Sequence, residues 1–284
     1  VFTSLEESKI EKTPKATIVE FIKTELNACI NALPETAAAG RITRGAAQAF
    51  LMRVNLLTGD YAGAESMANT IISGGKYAMP DLSYEESFLK ANQYNSEVIF
   101  TTEHVKPGYS MWFGAYMSNG YGGWSSIVPT KDLADAYETK NGLTTDEDPT
   151  FDPENPYVNR DPRLKATILY PGQAYGIYAD KGFGSLVKGD VDHGLTANNA
   201  THTGFNFKKF YSDLSEYDDY WDAARNFPVL RYAEVLLSYA EAKIEQGEVD
   251  ASVYDAINQV RTRAGMPNVD EAKYNTAEKL RELV

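Results

Sequence analysis

The fold is decided by residues 40–77, GRITRGAAQAFLMRVNLLTGDYAGAESMANTIISGGKY. Thr43 precedes an apolar-periodic segment that ends at Gly59, and a second periodic segment follows directly with Ala68 and Ile72 at apolar positions. A capping residue before the segment and a glycine after it are the usual start and stop signals of a helix. Two such segments joined by a short turn predict a helical hairpin.

A second hairpin of the same pattern lies near the other end of the chain. Residues 231–265 superpose on the first hairpin without a gap, so that Gly59 aligns with Gly247 and Ala68 with Ala256. Small residues where the helices approach and a glycine at the turn resemble a tetratricopeptide unit, whose period is about 34 residues. The chain is therefore predicted to contain two related helical units.

Two further helices are predicted outside the hairpins. Residues 17–33 carry apolar side chains at steps of three and four, which predicts a helix with one buried stripe. A shorter helix is expected to begin near Thr276. Because Cys29 belongs to the stripe, we expect it to lie in the core. The stripe consists of Ile18, Phe21, Ile22, Leu26, Cys29, Ile30 and Leu33.

The net charge excludes several classes of protein. The 284 residues sum to −13 at pH 7, which disfavours binding to nucleic acid or to anionic lipid. One cysteine cannot form an intrachain disulfide or a structural zinc site. No apolar run approaches the roughly 20 residues that cross a bilayer.

The region between the hairpins differs in composition. It is rich in Gly, Pro, Asn, Asp and Tyr, with candidate strands at residues 97–104 and 163–170. We predict a mainly α fold in which tetratricopeptide-like hairpins form a scaffold and a long loop-rich insert contains short strands and helices. The predicted single domain, 1–284, divides into helical-repeat regions 17–78 and 228–265, the insert 79–227, and the start of a C-terminal helical region, 266–284.

Aromatic residues are concentrated in one part of the insert. The chain has 19 Tyr, more than its 12 Phe and 3 Trp together, and six aromatics fall within residues 109–124, YSMWFGAYMSNGYGGW. Tyrosine and tryptophan suit surfaces that are both apolar and hydrated. This segment is the strongest functional signal in the composition.

Several phrases, in order along nearly the whole chain, resemble the SusD/RagB family of glycan-binding outer-membrane lipoproteins. Besides residues 40–77, they are LADAYETKNG at 133–142, NRDPRLKATIL at 159–169, TGFNFKKF at 203–210, FPVLRYAEVLLSYAEA at 227–242 and INQVRTRAG at 257–265. The resemblance implies four tetratricopeptide-like units beneath a loop-rich face that binds oligosaccharide, and a SusC-like TonB-dependent transporter as partner. It also implies the extracellular face of the outer membrane, with an N-terminal lipid anchor.

The chain departs from the family pattern at both ends. The lipid-bearing cysteine and the first pair of helical units are not in this sequence, and family members continue beyond its last helix, so we expect it to be a fragment. Cys29 lies within a predicted helix and is not the lipid-bearing residue.

A neutral sugar presents C–H faces and hydroxyl groups, which aromatic rings and planar polar side chains bind well. The predicted glycan-binding residues are Trp112, Trp124, Tyr116, Tyr121, Tyr109 and Asn119. The alternative is that these aromatics fill a core with little regular structure. A second aromatic group, Tyr217, Tyr220, Trp221 and Phe227, is expected to pack on the scaffold instead.

The sequence marks no catalytic or metal site. No pair of acids stands out as a glycosidase dyad, and the three histidines lack zinc-ligand spacing, so we predict no enzyme activity, metal or cofactor. Asp190, Asp192 and His193 are expected to form a solvated loop rather than a calcium site, and Arg160 and Arg163 to tie loops together. Two alternatives to glycan binding remain: a helical-repeat module that binds a protein partner, and a glycosidase.

Overall fold

The computed structural model describes residues 11–211 and 214–284, so the first ten residues of the predicted domain lie outside it. Its α-helices are α1 (Lys15–Ala32), α2 (Arg44–Leu57), α3 (Tyr61–Ser73), α4 (Lys131–Ala136), α5 (Pro162–Thr167), α6 (Tyr232–Glu245), α7 (Ala251–Arg263) and α8 (Ala277–Leu283). Its strands are β1 (Val98–Thr102), β2 (Ile168–Leu169), β3 (Asn206–Phe207) and β4 (Phe227–Arg231). Short 3-10 helices are Glu86–Phe88, Lys90–Asn92, Phe113–Ala115, Asn119–Tyr121, Gly176–Tyr178 and Leu214–Glu216. The mainly α prediction is confirmed.

Both predicted hairpins are confirmed, α2 with α3 and α6 with α7. Gly59 and Gly247 occupy the same left-handed turn position, with φ of 79° and 78°. A glycine adopts this conformation without the steric strain that a Cβ imposes. The returning helices are capped by acids: Asp60 accepts from the Gly63 N–H at 3.1 Å and Asp250 from the Ser252 N–H at 2.9 Å.

The hairpins share one apolar core, which contains residues of α2, α3, α6, α7, α8, β1 and β4. Alanines lie where the helices approach each other most closely. Four of them are 0% exposed: Ala46, Ala49, Ala68 and Ala240. A methyl side chain lets two helix backbones approach closely while every neighbouring atom stays in van der Waals contact. The repeat alanines of the sequence therefore mark where helices touch.

Helix α1 differs from the prediction of a buried stripe. None of its residues is fully buried, Ile18 and Phe21 are 44% and 61% exposed, and Cys29 is exposed. The helix packs along α2, and this contact covers less than the whole apolar face. The expectation that Cys29 lies in the core is therefore wrong in the described structure.

An antiparallel ribbon of β1 and β4 joins the two ends of the insert. Val98 pairs with Arg231 and Thr102 with Phe227, so the chain leaves the scaffold and returns to it at the same place. Beside the ribbon, the buried carboxylate of Glu97 binds Arg231 at 2.5 Å and Arg263 at 2.9 Å. These ion pairs fix the insert to the second hairpin.

The second predicted strand, at residues 163–170, is largely a helix. Asp161 accepts from the Arg163 N–H at 2.8 Å, and Pro162 occupies the first helical turn, where its missing N–H is not needed. Helix α5 therefore covers most of the segment, and only β2 at its end pairs with β3, Ile168 with Phe207. The local cap overrides the β-branched composition. None of the helices in the described residues is both long and apolar enough to cross a membrane.

Candidate functional site

Four aromatic side chains of the insert form the candidate site, which we call the aromatic patch: Tyr109, Trp112, Trp124 and Trp221. The first three are 77%, 60% and 49% exposed. Trp221 is half-buried, and its ring centroid lies 4.7 Å from that of Trp124 at an angle of 54°. Because Trp124 is about half exposed, part of its indole is open to a ligand beside the Trp221 ring.

Backbone hydrogen bonds bring the two segments of the aromatic patch together. Met111 and Ala223 form an antiparallel bridge, with the Met111 N–H donating to the Ala223 carbonyl at 2.9 Å. The Phe113 N–H donates to the Tyr220 carbonyl, also at 2.9 Å. Trp112 and Trp221 are therefore carried by paired backbone, which reduces the conformational entropy lost when they bind a ligand.

Gly114 supports the two adjacent tryptophans. Its carbonyl accepts from the Trp124 N–H at 2.7 Å, and a Cβ on this residue would lie 2.3 Å from the indole of Trp221. The Trp221 ring therefore rests on bare backbone. Any larger residue at position 114 would displace it.

Tyr121 and Asn119 lie between the aromatic patch and a neighbouring loop. The Tyr121 hydroxyl accepts from the Ile177 N–H at 3.1 Å, its ring packs against Tyr178 at 5.6 Å, and burial raises its pKa. The Asn119 amide donates to the Val191 carbonyl. These two predicted glycan-binding residues hold the loop in place, and a sugar contact by either stays a prediction.

Tyr116 is half-buried and packs against the small core around Phe113 and Tyr217. Phe113 itself is 1% exposed, with its ring 4.9 Å from that of Tyr217. The segment thus divides into rings that point to solvent and rings that fill the core. Trp112 and Trp124 belong to the exposed rings, and glycan contact by any of the six predicted residues stays a prediction.

Asp192 anchors the loop that carries Tyr121. Its carboxylate is fully buried and accepts from the Tyr178 hydroxyl at 2.7 Å and from the Gly120 N–H at 2.9 Å. Burial raises the pKa of Asp192 despite these bonds. The expectation of a solvated loop is therefore wrong for this residue. Within residues 11–211 and 214–284, no group of acids, histidines or cysteines is arranged to hold a metal ion.

The second aromatic group is divided in the same way. Tyr217 is buried in the insert's own cluster around Phe113, and Trp221 contacts Trp124, so the expectation of packing on the scaffold is wrong for both residues. Sequence reasoning missed Trp221 because almost a hundred residues separate it from the other tryptophans. The glycine at position 114 gave the only local sign that a large ring approaches this backbone.

The arginines of the insert are structural, as predicted. Arg160 donates to five backbone carbonyls, and Arg163 forms a two-point pair with the Asp161 carboxylate at 2.6 and 3.0 Å. At the start of the second hairpin, Arg231 binds Glu97, and Glu234 binds Arg53 of α2 at 2.7 Å.

A cavity of about 1170 Å³ lies away from the aromatic patch, between the scaffold and the helices α4 and α5. Several arginines line it, and each of them faces a carboxylate within ion-pair distance. In the described residues these five arginines share four carboxylates, because Glu97 pairs with both Arg231 and Arg263, so each guanidinium already has an acidic partner. The pairs are Arg53–Glu234, Arg163–Asp161, Arg231–Glu97, Arg261–Glu138 and Arg263–Glu97.

Comparison with known proteins defines the class to which this architecture belongs. The model of the SusD family matches residues 90–284, more than half of the chain. The chain belongs to the SusD family.

Individual relatives agree with this assignment. The chain is 26% identical to SusD-like protein P2 of Formosa agariphila, over 95% of its own length and 51% of that protein. A SusD-like carbohydrate-binding protein of Bacteroides fragilis, 32% identical, superposes with a TM-score of 0.85 over 99% of this chain and 56% of that one. A more distant structure, 20% identical with a TM-score of 0.66, contains a xylogluco-oligosaccharide and matches over 100% and 57% of the two chains. The chain thus spans about half the length of the relatives it matches.

Proposed function

We propose that this chain is the oligosaccharide-binding part of a non-catalytic cell-surface protein that captures glycans for uptake. The observation that carries the proposal is the aromatic patch, in which Tyr109, Trp112 and Trp124 are 49–77% exposed while Phe113 and Tyr217 beside them are buried. Exposing large apolar rings costs hydration free energy, and groups of exposed rings are typical of binding surfaces.

The chemistry of the aromatic patch suits a sugar better than a charged or purely apolar ligand. Ring faces pack against the C–H surface of a pyranose, and the supporting segment adds polar groups such as Ser110 and Ser126 that can bond hydroxyls. Membership of the SusD family, and the carbohydrate binding stated for the Bacteroides relative, support the same ligand class. Within this proposal the insert, residues 79–227, carries the site and the helical-repeat regions carry the insert.

Uptake, partner and location follow the family. We propose a SusC-like TonB-dependent transporter as partner and the extracellular face of the outer membrane as location, with a lipid anchor on the full-length protein. Co-purification of the full-length protein with the transporter from solubilised outer membranes tests the partnership. Recovery of the transporter without this protein would contradict it.

Glycan binding is tested by titration calorimetry against a panel of neutral polysaccharides and their oligosaccharides. The double variant Trp112→Ala/Trp124→Ala removes two rings, each worth about 0.5 to 1.5 kcal/mol in aromatic contact, so affinity should fall about fivefold to a hundredfold or more. Phe21→Ala is the matched control, because it removes an exposed ring from α1, outside the aromatic patch. Equal binding by the double variant and the parent would exclude the aromatic patch as the site.

The protein-binding alternative has one observation in its favour, the exposed apolar side chains Ile18 and Phe21 on α1. If a protein partner binds there, Phe21→Ala should reduce its capture while Trp112→Ala/Trp124→Ala does not. The glycosidase alternative is tested by reducing-sugar release from the glycan that binds, and release above background would overturn the non-catalytic proposal.

A further inference from the structure

Carboxylates stand along one edge of the aromatic patch. Asp219 and Asp222 flank Trp221, and the Asp219 Oδ1 accepts from the Trp221 N–H at 2.8 Å. The Asp222 Oδ1 accepts from the Gly108 N–H at 3.4 Å, next to Tyr109. Trp112 follows Met111 and Asp222 precedes Ala223, so both residues adjoin the antiparallel Met111–Ala223 bridge, one on each strand. The two acids are therefore fixed beside three of the four rings.

Two cations near this edge already have partners in the insert, Lys106 an acid and Lys90 a backbone carbonyl. Lys106 pairs with Asp218 at 2.5 Å, and this hydrogen bond raises its pKa, with additional contributions from the charges of Asp218, Asp222 and Asp219. Lys90 donates through its Nζ to the Glu216 carbonyl at 3.3 Å. Its charge also contributes, after that of Lys106, to the lowered pKa of Asp218.

Asp219 and Asp222 themselves bind backbone N–H groups, and in the part of the chain that the structure describes neither forms an ion pair. Asp219 is exposed and Asp222 half-exposed. Their negative charges are therefore directed to solvent at the edge where a ligand must approach. A sugar that stacks on these rings and carries a carboxylate or sulfate group brings that negative charge close to two like charges.

We propose that Asp219 and Asp222 make the aromatic patch selective for uncharged oligosaccharides and against those that carry uronic acid or sulfate groups. This specificity rests on the proposed function of the same site. Recognition of an acidic sugar ordinarily uses a free arginine or lysine. Here Lys106 is paired with Asp218, and Lys90 is held by the Glu216 carbonyl and lies over the Tyr217 ring, 5.3 Å from its centroid. Among the described residues of this edge, the charge of a bound acidic sugar therefore meets no uncommitted cation.

The test compares one glycan in two charge states. The neutral polysaccharide that binds in a calorimetric panel is carboxymethylated, and the affinities of the two forms are measured for the parent and for Asp219→Asn/Asp222→Asn. Asparagine keeps an oxygen that can accept the Trp221 and Gly108 N–H bonds. The parent should bind the carboxymethylated form about three- to tenfold more weakly than the neutral form. For Asp219→Asn/Asp222→Asn the ratio of these two affinities should fall below about twofold.

A control variant separates local charge from total charge. Asp132→Asn/Asp255→Asn removes the same two charges from exposed positions on α4 and α7 and should leave the parent ratio unchanged. Raising the salt concentration from about 0.05 to 0.5 M should shrink the ratio in the parent, because it screens exposed charges.

The outcomes separate this inference from the proposed function. Equal binding of both glycan forms by the parent, or preference for the anionic form, overturns the specificity while glycan binding stands. An unchanged ratio in Asp219→Asn/Asp222→Asn also overturns it. Failure of every neutral and anionic glycan to bind the full-length protein overturns the proposed function itself.

Discussion

The scaffold and the insert are stabilised by different interactions. The scaffold has one continuous apolar core, rich in alanine and aliphatic side chains, that runs through α2, α3, α6 and α7. Among its described residues the insert has three small clusters in which aromatic rings predominate, around Phe113, Leu164 and Tyr178. Close packing of regular helices holds the first region, whereas the second depends on rings and on side chains bonded to loop backbone.

This difference explains why the exposed rings lie on the insert. Loop backbone leaves many N–H and C=O groups outside regular structure, and these must be bonded by side chains. Arg160, Arg225 and Asp192 are buried and do so. Once the loops are fixed in this way, side chains such as Trp112 and Trp124 can face solvent without loss of order.

The largest expected effect comes from removing one backbone clamp of the insert. Arg160→Met should lower the free energy of unfolding by at least about 3 kcal/mol, because five carbonyls lose their donor and each buried unpaired group costs about 1 to 3 kcal/mol. Chemical denaturation measures it. Arg41→Met, at an exposed arginine, is the control and should change stability by less than about 0.5 kcal/mol.

If Arg160→Met is no more destabilising than Arg41→Met, the insert is not held by side-chain bonds to its backbone. The contrast between the two regions would then be wrong.

The scaffold should instead be sensitive to added volume. Ala240 of α6 is 0% exposed in the core shared with α3, so Ala240→Leu forces the helices apart and should cost about 1 to 3 kcal/mol. Ala28→Leu on the exposed side of α1 adds the same atoms without a neighbour to displace. Its denaturation midpoint should therefore stay close to that of the parent. Equal effects of the two substitutions would show that close helix approach does not limit the scaffold.

These regions also differ in how much the sequence revealed. Apolar periodicity, the glycines at 59 and 247, and the recurrent alanines predicted both hairpins, because helix geometry depends on neighbours three and four residues away. The ribbon strand β1 was predicted from its β-branched composition. Asp161 and Pro162 converted most of the second predicted strand into α5, which shows that a single cap can decide a short segment.

The candidate site was only partly accessible to sequence reasoning. The aromatic run at 109–124 predicted the place, but exposure depends on contacts with residues 175–192 and 220–223, which are distant along the chain. Trp221 and the acids beside it were missed for that reason. The buried stripe of α1 failed for a related reason, since periodicity shows which face is apolar and not whether another element covers it.

Two acids, one in each region, should respond to pH with opposite sign. The hydrogen bond from Lys243 lowers the pKa of Asp250 to about 2, so its stabilisation is present above its ordinary pKa and is lost as pH falls from about 4 towards 2. Burial raises the pKa of Asp192, so the folded state takes up its proton first and gains stability as pH falls towards the ordinary value.

Urea midpoints at pH 6 and pH 3 measure both contributions. The advantage of the parent over Asp250→Asn should shrink at pH 3, whereas the parent should gain relative to Asp192→Asn. If the difference in urea midpoint between parent and variant changes in the same direction with pH for Asp250→Asn and Asp192→Asn, Asp192 is not held in a desolvated site.

The smallest effect on stability should come from Trp124, the residue on which the binding proposal depends most. Trp124 stands between Gly122-Gly123 and Ser125-Ser126 in the sequence, and it is 49% exposed. A buried tryptophan replaced by alanine costs about 3 to 5 kcal/mol, so a half-exposed one should cost about 1 kcal/mol through its contact with Trp221. Glycan affinity should fall several-fold to about tenfold for Trp124→Ala.

A double-mutant cycle with Trp221→Ala shows whether the two rings act as one platform. If a sugar stacks across both, the losses of binding free energy should be less than additive, because either substitution alone already breaks the shared surface. Additive losses would mean that each ring binds separately. A large drop in thermal midpoint for Trp124→Ala would show instead that Trp124 is a core residue. Trp124 would then belong with the buried rings of the insert, and Trp112 would be the main exposed tryptophan of the aromatic patch.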